Sequence, residues 1–186
     1  RGWPVFPLRP NDKIPAFPSA HPKGDPLRGK CKGGCGKVGH GLYDATTDPE
    51  LVKKWWTEMP DANIGIRTGV RFDVIDIDGP EGVRSLAELN DDVLPDLHGK
   101  VDTPDWFHLL TLPSGDGNRA RVRPGIDYRG VGGYVCAPPS VINGKRYTWI
   151  VKPSPQIIGS NSPAVHRQCL RCGGVDTDGH KCLRGE

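Results

Sequence analysis

The chain has 186 residues, a length that suits one domain with room for a small appendage and a core that forms without disulfides. Hydrophobic residues make up only 35% of it, while Gly 25 and Pro 19 call for many turns, which excludes a helical bundle or a coiled coil. The net charge of +3 hides a partition: residues 1–40 carry eight Lys/Arg against two acids, residues 41–105 six against fifteen, and residues 106–186 eleven against five.

Basic flanks around an acidic centre suit a protein that grips a polyanion at its edges and holds cations in the middle, although uneven solvated charge gives the same profile. No run approaches the roughly 18 apolar residues of a membrane span. Arg1-Gly2-Trp3-Pro4 opens neither a signal nor a transit peptide, and the missing initiator Met reads as an excised or processed fragment.

In chain order, residues 3–8 read as a short, Pro-broken edge strand and residues 11–18 as a loop. Residues 19–41 have almost no hydrophobic pattern but contain His21, Cys31, Cys35 and His40. Thiolate and imidazole at such spacing suit tetrahedral Zn²⁺, and a segment this poor in apolar residues needs a metal to order it. Asp48-Pro49-Glu50 is a helix start, with Leu51, Val52, Trp55 and Trp56 as an apolar stripe that packs on the core. Strands follow at 63–67 and 72–78, joined by a turn at Thr68-Gly69. A short helix at 81–89 leads to an acidic, Pro-containing loop at 91–105. Further strands are expected at 107–112, 126–129, 133–137 and 146–151. Strands outnumber helices, so the fold class is α/β in the mixed, α+β sense, with a largely antiparallel sheet.

The main domain spans 1–151, residues 152–164 read as a linker, and 165–186 form a Cys/His-rich tail. In that tail Cys169 and Cys172 make a C-x2-C knuckle of the zinc-ribbon kind, and His166, His180 and Cys182 compete for the remaining Zn²⁺ positions. Cys136, alone in an apolar strand, reads as a buried, inert thiol.

The sharpest signal is Phe72-Asp73-Val74-Ile75-Asp76-Ile77-Asp78-Gly79. Alternate strand residues share a face, so Asp76 and Asp78 project together while Ile75 and Ile77 enter the core. Two carboxylates roughly 7 Å apart along a strand repel unless a cation lies between them, which suits a Mg²⁺ or Mn²⁺ site, although a polar strand end entering a turn also looks like this. In Gly125-Ile126-Asp127-Tyr128-Arg129-Gly130, Asp127 and Arg129 share a face of a second strand. Asp127 adds a third carboxylate and Arg129 a two-point phosphate donor, or the two form a plain surface pair. His108 is a lone strand histidine that needs a partner if buried.

Lys13-Ile14-Pro15, Asp44-Ala45-Thr46-Thr47-Asp48, Trp55-Trp56, Ala62-Asn63-Ile64-Gly65-Ile66-Arg67-Thr68-Gly69, Asp76-Ile77-Asp78, the segment 103–108, Ile126-Asp127-Tyr128-Arg129-Gly130 and Gly133-Tyr134-Val135-Cys136-Ala137-Pro138-Pro139-Ser140 occur in this order. The series resembles the bifunctional DNA primase/polymerase domains of the archaeo-eukaryotic primase superfamily over about residues 3–151. The resemblance implies a two-module α/β catalytic domain in which Asp76, Asp78 and Asp127 bind Mg²⁺ or Mn²⁺. It also implies that His108 contacts the triphosphate of an incoming nucleotide, with Arg129 beside it. The zinc-bearing insertion at 19–41 is similar to one found in some relatives. Relatives often carry a Gly-rich turn before the histidine, where this chain has Pro104-Asp105-Trp106-Phe107.

The activity so implied is template-directed nucleotidyl transfer from (d)NTPs to a 3′-hydroxyl in replication priming. Its partners are a single-stranded DNA template, a primer, (d)NTPs and a replicative helicase domain or protein, in the cytoplasm of a prokaryotic cell with a plasmid or phage context. Two rivals use the same residues. A metal-dependent nuclease or phosphohydrolase needs the three acids but no nucleoside triphosphate, and a non-catalytic zinc-dependent DNA-binding module needs the Cys/His clusters but leaves the acidic strand idle.

Overall fold

A computed structural model describes residues 2–89 and 94–158. The tail ligands Cys169, Cys172, His180 and Cys182, with His166, lie outside the described residues.

β1 (Val5–Leu8) is the edge of a three-stranded antiparallel sheet with β2 (Asn63–Arg67) at its centre and β8 (Tyr134–Ala137) on the far side. Pro7 sits in that edge strand, where a missing N–H costs no ladder bond. Between β1 and β2 lie a 3-10 turn (Gly41–Asp44) and helix α1 (Pro49–Glu58). Asp48 caps α1 as expected, its carboxylate accepting the Glu50 amide at 2.9 Å, and the helix buries Trp55. Trp56 is half-buried and donates its indole N–H to the Ala62 carbonyl, so both tryptophans serve packing.

The larger sheet has six antiparallel strands. β3 (Asp73–Asp78) lies between β5 (Trp106–Thr111) and β7 (Ile126–Arg129); β4 (Leu97–Asp102) and β11 (Thr148–Val151) extend it beyond β5, and β6 (Arg119–Arg123) forms the edge beyond β7. The Thr68-Gly69 turn therefore passes the chain from one sheet to the other, and β2 and β3 are not neighbours. A ribbon of β9 (Val141–Ile142) and β10 (Lys145–Arg146) precedes β11.

Alternation on β3 serves two cores. Val74, with Val101 and Leu110, meets Phe6, Leu8, Ile66 and Val135 of the small sheet. On the opposite face Ile75 and Ile77, with Leu109 and Ile126, pack beneath Val83 and Leu86 of helix α2 (Gly79–Ala87). The order is thus small sheet, core, large sheet, core, helix, an α+β domain of mostly antiparallel strands.

The structure corrects the sequence reading in three places. The acidic loop expected over 91–105 contains β4, because Gly99 and Val101 alternate inward, β5 pairs with it across a tight hairpin, and β11, a distant segment that local composition does not reveal, covers its other edge. The Pro104-Asp105 departure is the hairpin turn between these strands, closed by Thr103 and Trp106 hydrogen bonds. Edge strand β6 is fully exposed, so it carries no hydrophobic alternation to read. The stretch expected as a linker begins with a short helix, α3 (Pro155–Ile158): Ile157 is fully buried and its carbonyl accepts the Trp3 indole N–H at 3.1 Å.

Candidate active site

Among the described residues, two groups of His, Cys and acids bring their ligand atoms within 4.8 Å of one another: Asp76, Asp78 and Asp127, and His21, Cys31, Cys35 and His40.

The acidic group follows from strand register. Asp76 pairs with His108 across β3–β5 and with Asp127 across β3–β7, so three neighbouring strands set histidine, aspartate and aspartate side by side. Residues directly opposite in an antiparallel pair project from one face, and Asp78 adds its carboxylate two residues along β3. Asp76 is clamped on both oxygens: Oδ1 lies 3.2 Å from His108 Nε2, and Oδ2 accepts Arg129 Nε at 3.3 Å and a terminal Arg129 nitrogen at 3.2 Å. The same guanidinium donates to Asp127 Oδ2 at 2.6 Å, while Asp127 Oδ1 accepts the Arg121 amide at 2.7 Å. Burial pushes the Asp76 carboxyl up, but the hydrogen bond and charge of His108 and then the charge of Arg129 outweigh it and hold it below the usual carboxylate range. Asp78 is raised, by burial first and by the Asp76 charge second, with Lys13 offsetting part of this.

Asp76 and Asp78 open into a cleft between the sheets of about 290 Å³, lined also by Lys13, Tyr134, Val135 and Cys136 on the opposite wall and by Tyr147. Tyr147 is buried, its ring 6.0 Å from that of His108, and burial and Cys136 push its hydroxyl far up, so it stays protonated. Burial also raises the Cys136 thiol, in keeping with the inert thiol expected, although it lines the cleft.

The second group lies on the insertion. Cys35 Sγ is 3.4 Å from His40 Nε2, and the His21 and His40 rings stand 5.4 Å apart. Each histidine turns its other nitrogen to a carboxylate: His21 Nδ1 to Asp25 at 2.9 Å, His40 Nδ1 to Asp44 at 3.4 Å. His21 Nε2 is buried with no hydrogen-bond partner. An orphaned imidazole nitrogen facing two thiols, with Asp25 hydrogen-bonded behind His21 and Asp44 near His40 Nδ1 without a hydrogen bond to it, fits a zinc centre. His21 lowers the Cys31 thiol to about 6, and Asp25 and then Cys31 raise His21. Gly39 has φ +118, and a Cβ there would collide with the Pro18 carbonyl and the Ala20 amide, so both ends of the insertion meet at a point only glycine tolerates.

Sequence reasoning brought forward the acids, His108, Arg129 and the four candidate zinc ligands. It missed Asp25 and Asp44, whose signal was present as a repeated His-x3-Asp spacing. It also missed the Arg121 amide, which no side-chain pattern discloses.

Three carboxylates on two adjacent strands, held by a histidine and an arginine beside a cleft, form a donor set that could hold divalent cations in an α+β domain. The sequence profile described as bifunctional DNA primase/polymerase, N-terminal, matches residues 1–164, and the chain belongs to that family. Neither the curated proteins nor the solved structures contain a match to it. Among the described residues, no helix is long and apolar enough to cross a membrane.

Proposed function

We propose that the chain is a DNA primase/polymerase domain that joins a (d)NTP to a 3′-hydroxyl opposite a DNA template and releases pyrophosphate. The observation that carries this reading is the set of Asp76, Asp78 and Asp127, with Asp76 and Asp127 in register, beside a cleft in a chain of the primase/polymerase family. The layered α+β architecture supports placing it with the archaeo-eukaryotic primases.

The donor set of three carboxylates fits hard cations, so Asp76, Asp78 and Asp127 would hold Mg²⁺ or Mn²⁺. Such cations, when bound, lower the pKa of an attacking hydroxyl and neutralise phosphate charge. The residues of the chain do the placing. Asp76 is kept ionised by His108 and Arg129, and Asp127 is aimed by Arg129 on one oxygen and by the Arg121 amide on the other. His108 and Arg129 line the cleft beside the acids, which supports them as the expected triphosphate contacts from the acidic wall. His21, Cys31, Cys35 and His40 would hold Zn²⁺ in a structural role. The segment they clamp carries Lys23, Arg28, Lys30, Lys32 and Lys37, a sequence-independent contact for template phosphates.

Extension of a labelled primer on a DNA template, with Mg²⁺ or Mn²⁺ and each nucleotide set, tests the reading. The wild-type chain should add nucleotides and release pyrophosphate, and Asp76→Ala or Asp127→Ala should abolish addition with template affinity kept within a few-fold. Full activity in either variant, or cleavage of DNA without any triphosphate, would overturn it.

A further inference from the structure

The cations around the cleft are unequally committed. His108 and Arg129 are bonded to Asp76, and Arg129 also to Asp127, so neither turns wholly to a ligand without releasing a catalytic acid. Lys13 lines the same cleft from the opposite wall, on the loop that follows β1, and its amine touches none of the three acids. Its partner is Asp105, in the β4–β5 hairpin turn, at 3.1 Å, with the two side chains 53% and 60% exposed. An ion pair that open to water contributes little, so the amine exchanges partners at small cost.

The main chain beneath Lys13 is held at several points. Tyr134 donates its hydroxyl to the Lys13 carbonyl at 3.0 Å, Asp12 accepts the Lys13 amide at 2.6 Å, and Asn63 donates to the Asp12 carbonyl at 3.2 Å. The Arg9 amide donates to the Ile14 carbonyl at 2.8 Å, which closes the loop. A rigid loop that presents a loosely held cation across a cleft from an acidic wall is built to meet a ligand bearing negative charge on the side away from the acids.

We propose that Lys13 is the opposite-wall ligand of the triphosphate, leaving Asp105 to bind the β- and γ-phosphates while the three acids serve the reacting end of the same nucleotide. This rests on the nucleotidyl-transfer reading and names a binding residue for it. A compact ammonium suits this task, since it grips phosphate as a point charge without requiring a planar, two-point fit.

Direct binding of dATP and of dAMP to the full chain, followed by calorimetry in Mg²⁺, tests the assignment apart from catalysis. Lys13→Gln should weaken dATP about tenfold, the loss expected for one charge-assisted hydrogen bond, and dAMP less than about twofold. Lys13→Arg, which keeps the charge, should stay within about threefold of wild type for dATP, and Asp105→Asn should bind dATP at least as tightly as wild type. If Lys13→Gln binds dATP like wild type, weakens both nucleotides equally, or weakens only a labelled template strand, the assignment falls while the polymerase reading stands. A wild-type chain that binds no triphosphate would overturn both.

Discussion

Asp76 and Asp78 are two residues apart on one strand, yet their surroundings drive their carboxyl groups in opposite directions. Asp76 is held below the ordinary range, so its contribution to stability is present above the unfolded pKa and is lost as pH falls through the lowered folded one. Asp78 is held above it, so the folded state binds that proton more tightly than the unfolded chain. Its contribution is therefore complete below the unfolded pKa and is lost as pH rises through the raised folded value. At neutral pH, without cations, the Asp78 charge is a burden, one that the proposed metal site would explain by its use of a third carboxylate. Asp78→Asn should accordingly raise the melting temperature of metal-free protein by about 1–2 °C at neutral pH and abolish primer extension. The gain should vanish in acid, where Asp78 is protonated. A metal-free variant that melts below wild type at neutral pH would contradict this account.

At the scale of elements, the irregular edge strand β6 governs one of the acids. Arg119 pairs with Tyr128 and Arg123 with Ile126, so β6 carries two more residues than β7 over the same span, and Arg121 sits within that bulge at φ 51. The bulge turns its amide onto Asp127 Oδ1 instead of into the ladder. Arg121→Gly keeps the amide and tolerates the positive φ, and should extend primers within about threefold of wild type. Arg121→Pro removes the donor and should cost roughly 10- to 100-fold in activity, the usual effect of losing a group that orients a metal ligand. Equal activity in both variants would show that Asp127 needs no such support.

The insertion is an element of another kind, with little core of its own, and under the proposed zinc assignment its four ligands order it. Cys31→Ser should lower zinc content by about one equivalent and open the segment 22–38 to protease, leaving the main thermal transition in place. A variant that keeps full zinc content, or a wild-type chain in which Cys31 and Cys35 form a disulfide, would refute the assignment.

For the molecule as a whole, the short helix α3 closes the core. Ile157 joins Phe72, Val74, Val101 and Tyr147 in the layer between the sheets, and Trp3, near the other end of the described chain, bonds to its carbonyl. Ile157→Ala should therefore destabilise the domain by about 2–4 kcal/mol, measured by denaturant unfolding, and a chain ended at Val151 should lose at least as much. A change below about 0.5 kcal/mol would mean that the domain is complete without α3.

What the sequence by itself determined is local in origin: the cap and stripe of α1, the strand alternation that puts Asp76 and Asp78 on one face, and the clustering of Cys and His at metal-ligand spacing. These depend on neighbours within a few residues, through the strand period of two and the helical period of 3.6. The ordered series of motifs added the family and, by position, His108, Asp127 and Arg129. Only the tertiary structure decided that β3 lies between β5 and β7, which places Asp76 against His108 and Asp127, and that Arg129, 53 residues from Asp76, ties the acids together. It alone supplied β4 and β6, the packing of α3, and Lys13 across the cleft. Ladder pairing, register and the meeting of two sheets are set by contacts between distant segments and by the burial of both faces of β3, and no local pattern carries them.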